Sequence, residues 1–161
     1  MRSLAMGAAC LAVMLIAATQ VPSHLRLPLA GVVPGAVVTQ PFGCTALALE
    51  PFDPSCPTLH THTGIDLAAA LGSEVFSATA GTASVGFDPA GAGNFVSVVA
   101  DAHVRILYAH LSAWRVAQGD SVAPGQLIGL VGATGLATGP HVHLQVEIDR
   151  VPVDPAWYLS P

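Results

Sequence analysis

The chain has 161 residues, enough for one domain, and a formal net charge of −5, with arginine supplying all five cationic side chains. Only 9% of residues are charged, and no basic patch or basic-aromatic cluster points to a nucleic-acid partner. The apolar share of 52% owes much to alanine and to an N-terminal run, so it does not indicate a membrane-embedded body.

Met1-Arg2 opens a basic stretch, and residues 4–18 follow as an almost wholly apolar run. At about 15 residues the run falls short of the roughly 20 that a membrane span needs, and it fits the apolar part of an export signal. Cleavage near Ala17-Ala18-Thr19 and retention as an uncleaved anchor both stay open; either makes the body extracytoplasmic, secreted or envelope-associated. Cys10 lies too early in the run, without a leucine three residues before it, to be a lipid attachment site. Residues 1–19 are thus expected as a signal peptide or N-terminal anchor. Residues 20–36, with Pro22, Pro28 and Pro34, are expected as a linker.

From residue 37 onward, short runs of β-formers alternate with Gly/Pro turns: 37–42, 65–69, 74–78, 81–87, 94–100, 104–110, 121–122, 127–132 and 141–148. Such a succession without a long 3.6-period stretch predicts one all-β domain over residues 37–159. Residues 111–114 are read as a single helical turn. The Gly-rich segment 86–93 has no phosphate-loop lysine and is read as a hairpin or loop. Cys44 and Cys56 enclose a short loop, and an even pair in an exported protein reads as a disulfide. Such a bridge stabilises by roughly 3 kcal/mol in the chain-entropy model and would fasten one wall of a cleft. The alternative is a metal role for one thiol.

Three segments carry candidate chemistry. His60-Thr61-His62-Thr63-Gly64-Ile65-Asp66-Leu67 sets a histidine and an aspartate four apart, where Gly64 and β-branched neighbours argue against a helix. An ordinary turn with an Asp cap would also account for that pair. The run 104–110 ends in His110, and a lone histidine is more often structural than functional. His141-Val142-His143 follows the turn Gly139-Pro140, and a strand's period of two aims both imidazoles at the same face. His24 and His103 have no partner pattern and read as surface residues, while His60 can be a supporting donor or a bystander.

Together, His62-Thr63-Gly64-Ile65-Asp66, Tyr108-Ala109-His110-Leu111-Ser112 and the run from Thr134 to His143 resemble the lysostaphin-type zinc metallopeptidases, which cut bacterial peptidoglycan. The run from Val116 to Gly129 resembles the family's V-x-x-G-D-x-V-x-x-G-Q-x-I-G hairpin. The resemblance spans roughly residues 37–159, with the segments in order. It implies antiparallel sheets forming a groove with a biotin/lipoyl-like β-hairpin region. It also implies one zinc ion on His62, Asp66 and His143, with His110 and His141 beside it as non-ligand catalytic histidines.

That division suits catalytic zinc, which takes three protein ligands and leaves a fourth position for water. One histidine would then serve as general base and the other would stabilise the oxyanion. With three ligand positions filled, a thiol ligand becomes improbable. Gln145 stands where the family commonly has an acidic residue, and Ala137 where serine is common; neither replaces a ligand.

The expectation is a monomeric zinc endopeptidase acting on peptidoglycan cross-bridges or stem peptides, touching the membrane only through an N-terminal anchor. The alternative is a catalytically silent protein that binds wall or activates another hydrolase. A biotin- or lipoyl-carrier role is excluded, because it needs a lysine and the chain has none.

Overall fold

The computed structural model describes residues 27–159, so the expected export segment and His24 lie outside the described residues. A short helix, α1 (Leu29–Val32), precedes four strands: β1 (Val37–Gln40), β2 (Gly43–Thr45), β3 (His60–His62) and β4 (Ile65–Ala68). Next come β5 (Glu74–Phe76), β6 (Gly81–Asp88), β7 (Gly93–Val99), β8 (Val104–Leu111) and β9 (Ala113–Trp114). The chain continues through β10 (Ser121–Val122), β11 (Leu127–Leu130), β12 (His141–Ile148), β13 (Val151–Val153) and α2 (Pro155–Tyr158).

The main antiparallel sheet runs β1-β4-β12-β8-β7-β6-β10, with β13 also paired to β12. A second sheet runs β5-β11-β9, and β2 pairs with β3. The fold is all-β, as expected, because the period-two pattern survives in three dimensions. On β12, Val142, Leu144 and Val146 are fully buried, as are Ile106 and Tyr108 on β8 and Val96 and Val98 on β7. Val75 of β5 and Ile128 of β11 join the same core. Each such side chain stabilises the fold by about 1.5–3 kcal/mol. One face of the main sheet is thereby committed to the core, which leaves the alternate residues of β4, β12 and β8 for the other face.

Four local differences from the sequence reading have physical causes. Residues 111–114 are not a helical turn: Ala113 and Trp114 pair with Leu130 and Gly129 of β11. Two bonded residues of edge strand are too short to show periodicity. Strands β2, β3 and β13 fall in runs broken by Cys, Thr or Pro and carry no alternation to read. The stretch expected as a linker contributes to the core, since Val32 and Val33 are buried within it and Leu27 N–H donates to the Ala78 carbonyl. Finally, in the 116–129 run, β10 pairs with β6 whereas β11 pairs with β5 and β9, so the run passes from one sheet to the other.

Candidate metal centre

Antiparallel pairing of β4 with β12 sets Asp66 directly opposite His143, with His141 opposite Ala68. Because Ile65, Leu67, Val142 and Leu144 take the core face, Asp66, His141, His143 and Gln145 share the open one. His62 reaches the same point from the end of β3. Gly64 makes the approach possible, since a Cβ there would collide with the Leu144 carbonyl oxygen and the His143 ring.

His110 arrives by a different route. Core-facing residues on β8 are Val104, Ile106 and Tyr108, so strict alternation would turn His110 inward as well. Instead the register between β7 and β8 slips, with Asn94 opposite Leu111 but Val96 opposite Tyr108. The extra residue is accommodated as a bulge in which His110 adopts a left-handed φ of 62°. The bulge sends Leu111 into the core and His110 to the groove.

Three donor atoms converge. His62 Nε2 lies 2.9 Å from His143 Nδ1 and 3.2 Å from Asp66 Oδ1, and His143 Nδ1 is also 3.2 Å from that oxygen. His62 Nδ1–H donates to the Pro41 carbonyl at 2.9 Å, so its Nε2 presents a lone pair. Gln145 donates its amide to Glu147 at 2.7 Å and turns Oε1 toward His143 Nε2 at 3.5 Å, which favours the proton on that nitrogen and a lone pair on Nδ1. These tautomers follow from the hydrogen-bond partners. Two nitrogen lone pairs and a carboxylate oxygen thus face one another at hydrogen-bond distance, an arrangement that calls for a cation.

The edges of the donor triangle match the about 3.3 Å separation of ligand atoms around a tetrahedral ion with bonds near 2.0–2.1 Å. The residues fit a zinc-type metal. Titration behaviour agrees. Burial would raise the Asp66 carboxyl, but when His143 and His62 carry protons on the nitrogens that face it in place of a cation, their hydrogen bonds and the nearby His141 hold it well below the usual range. Burial opposes protonation of His62, yet Asp66, the Pro41 carbonyl and Glu50 raise its pKa. The site concentrates negative potential.

The other two histidines stand beside the triangle. His141 Nδ1–H donates to the Gly139 carbonyl at 2.8 Å, and its Nε2 lies 3.7 Å from Asp66 Oδ2. His110 Nδ1–H donates to the Thr134 carbonyl at 2.9 Å, and its ring centroid is 4.7 Å from that of His141. Burial pushes His110 down to about 4, with the Thr134 carbonyl opposing and the charges of His141 and His143 adding. Each ring therefore turns an acceptor Nε2 away from its carbonyl anchor.

Asp66, His110, His141 and His143 line one groove of about 410 Å³, and the fully buried His62 reaches its floor through Asp66 and His143. One wall is the loop 44–56, closed by a Cys44–Cys56 disulfide and contributing Leu47, Leu49, Glu50 and Pro51. The other comprises Ala90, Gly91, Ala92, Leu136 and Thr138. His60 is a supporting residue, donating from Nδ1 to the Glu50 carbonyl at 2.8 Å. His103 is exposed and pairs with Asp149 at the far end of the sheet. Sequence reasoning passed over Gln40 and Glu50, which no motif marks. It also left open the effect of Gln145, which holds Thr63 Oγ1–H at 2.6 Å and faces His143. Behind it, Glu147 takes a bidentate pair from Arg105 at 2.7 and 2.9 Å.

The Peptidase family M23 model matches residues 60–155. The DD-carboxypeptidase/endopeptidase Mpg of Neisseria meningitidis serogroup B is 45% identical over 108 residues, covering 65% of this chain and 25% of Mpg. The chain thus spans about a quarter of the length of that curated relative. Among solved structures, a zinc-containing peptidase from Vibrio cholerae aligns with a TM-score of 0.67 at 29% identity, covering 81% of this chain and 40% of the other. The catalytic domain of lysostaphin from Staphylococcus simulans aligns at 0.64 and 28% identity, over 77% of this chain and 92% of that domain.

Proposed function

The chain belongs to peptidase family M23, and from that premise we propose that it is a zinc endopeptidase hydrolysing peptide bonds of bacterial peptidoglycan, in the cross-bridge or stem peptide. The single observation that carries the reading is the converging triangle of His62, Asp66 and His143, flanked by two histidines that are not part of it. His62, Asp66 and His143 would hold the metal. When bound, zinc lowers the pKa of water toward roughly 7 and polarises the scissile carbonyl.

The chain's own groups do the rest. His62 is locked by the Pro41 carbonyl, and His143 is oriented by Gln145, itself held between Thr63 and Glu147. His110 and His141 are held through Nδ1 by the Thr134 and Gly139 carbonyls, which leaves each Nε2 for the groove. One, as the neutral imidazole, takes the proton of the attacking water at Nε2, and the other, having taken up a proton at Nε2 from solvent, donates it in a hydrogen bond to the oxygen on which charge develops. The groove walls hold an extended peptide between them.

The same proposal includes an export segment in residues 1–19, action outside the cytoplasm and a monomer that meets peptidoglycan directly. Digestion of purified peptidoglycan, with mass analysis of the new termini, tests it. Chelator-sensitive release of new amino and carboxyl termini, restored by zinc, is the expected result. Metal analysis finding less than half an equivalent of zinc, or His143→Ala retaining its zinc, would overturn the ligand assignment.

A further inference from the structure

Glu50 is a groove carboxylate that lies outside the metal triangle but next to it. Its backbone is pinned by the loop that carries it. The Glu50 N–H donates to the Leu47 carbonyl at 3.1 Å, His60 donates to the Glu50 carbonyl at 2.8 Å, and the Cys44–Cys56 bridge closes the loop around them. The side chain is held as well. Gln40, directly opposite Asp66 in the β1–β4 pair, donates its amide to Glu50 Oε1 at 3.4 Å. The same oxygen lies 4.0 Å from His62 Nε2, and the side chain is only 17% exposed.

Without a cation this arrangement is unfavourable. Oxygens of Glu50 and Asp66 approach the same His62 nitrogen, at 4.0 and 3.2 Å, and that nitrogen turns a lone pair toward them. Two partly desolvated carboxylates so placed repel each other, and no lysine or arginine lines the groove among the described residues. A divalent ion on the triangle removes the conflict. Asp66 alone would leave such an ion with an excess positive charge, and Glu50 supplies the matching negative one. Glu50 nonetheless stands one layer out from the ligands. Donor atoms around a tetrahedral ion lie about 3.3 Å apart, closer than Glu50 comes to His62. The converging set among the described residues is His62, Asp66 and His143 alone. A carboxylate at that remove acts through an intervening water, and an ion with three protein ligands keeps a water in its open position.

We propose that Glu50 is an outer carboxylate of the metal site, accepting a hydrogen bond from the water in the ion's open position and thereby strengthening the protein's hold on the metal. The proposal rests on the metal-dependent reading above and adds the residue that retains the ion.

Zinc affinity, measured from metal-free protein by competition with a chromogenic chelator, tests it in the wild type, Glu50→Gln and Gln40→Leu. Glutamine keeps the size of the side chain and removes only its charge. Affinity should fall about tenfold in Glu50→Gln, as is typical when an outer partner of a metal site is lost. It should fall by less in Gln40→Leu, which frees the carboxylate without removing it. The site still fills when zinc is in excess. Thermal unfolding separates this role from a structural one. Metal-free Glu50→Gln should melt no lower than the metal-free wild type, since a like-charge repulsion has gone, while the rise in Tm on adding a fixed excess of zinc should shrink. With cobalt in place of zinc, the visible absorption band should keep its position in Glu50→Gln, because the ligands are unchanged.

Equal zinc affinity in the wild type and Glu50→Gln overturns the proposal. So does a lower Tm of the metal-free variant, which would make Glu50 a structural residue, and so does a shifted cobalt band, which would make it a ligand. Zinc held in a Glu50-dependent way by a protein that releases no new termini from peptidoglycan counts instead against the peptidase reading alone.

Discussion

The two walls of the groove are fastened by opposite means. The 44–56 wall is tied covalently, through Cys44–Cys56, and carries a carboxylate with half-exposed Leu47 and Leu49. The opposite wall is uncharged and held by close packing. Gly93 and Gly135, both with left-handed φ, press backbone on backbone, and Leu136 N–H donates to the Gly91 carbonyl at 2.8 Å. A covalent tie leaves the loop's side chains free to take chemical roles. A tie made of close contact requires small side chains and leaves no room for any. The first wall can therefore present chemical groups to the groove, while the second supplies shape.

The comparison can be broken first at the floor both walls serve. Asp66→Ala or His143→Ala should lower peptidoglycan hydrolysis by a thousandfold or more, roughly 4 kcal/mol of barrier, while zinc content drops below half an equivalent. If hydrolysis survives, the walls enclose something other than a metal site.

Next, Gly135→Val should destabilise the fold by about 3 kcal/mol, because a branched side chain would meet the Gly91 and Gly93 backbone at a left-handed position. Denaturant unfolding reads this directly. Removing the other tie, by Cys44→Ser with Cys56→Ser, should cost up to roughly 3 kcal/mol of the chain-entropy term. Here zinc content should be kept, because neither cysteine touches the triangle, and hydrolysis should fall as the Glu50 wall loosens. Equal loss of zinc in both variants would erase the distinction between the walls.

The smallest effect lies beneath both. Burial would raise the Glu147 carboxyl, but the Arg105 pair holds it below the ordinary value. A depressed folded value gives stability that is present above the unfolded pKa of about 4.3 and lost as pH falls through the folded one. Glu147→Gln should therefore flatten the acid-side decline of Tm below about pH 4.3, a shift of a few degrees at most given the exposure of Arg105.

Much of this was legible in the sequence because strands alternate strictly. His141, His143 and Gln145 share a face by parity, and Asp66 faces opposite to Ile65 and Leu67 for the same reason. His110 was placed by resemblance, since parity alone points it into the core; the bulge that redirects it is a feature of strand pairing between β7 and β8. Glu50 was illegible because a disulfide-closed loop brings it to the site, and no local spacing records that closure. The buried Val32 and Val33 were hidden behind prolines that suggested a linker. Ala113 and Trp114 are strand only because β11 lies alongside.

The left-handed backbone at His110 sets backbone strain and the proposed reaction in competition at one residue. Glycine would occupy that φ with about 1 kcal/mol less strain than a side chain bearing a Cβ. Replacing His110 with glycine would relieve that strain but would also remove the buried ring and its hydrogen bond to the Thr134 carbonyl, together with the proton carrier of the proposed mechanism. A search guided by backbone strain alone would therefore be drawn to this site and, on the proposed mechanism, return inactive proteins. Engineering for durability must hold this histidine fixed and look elsewhere.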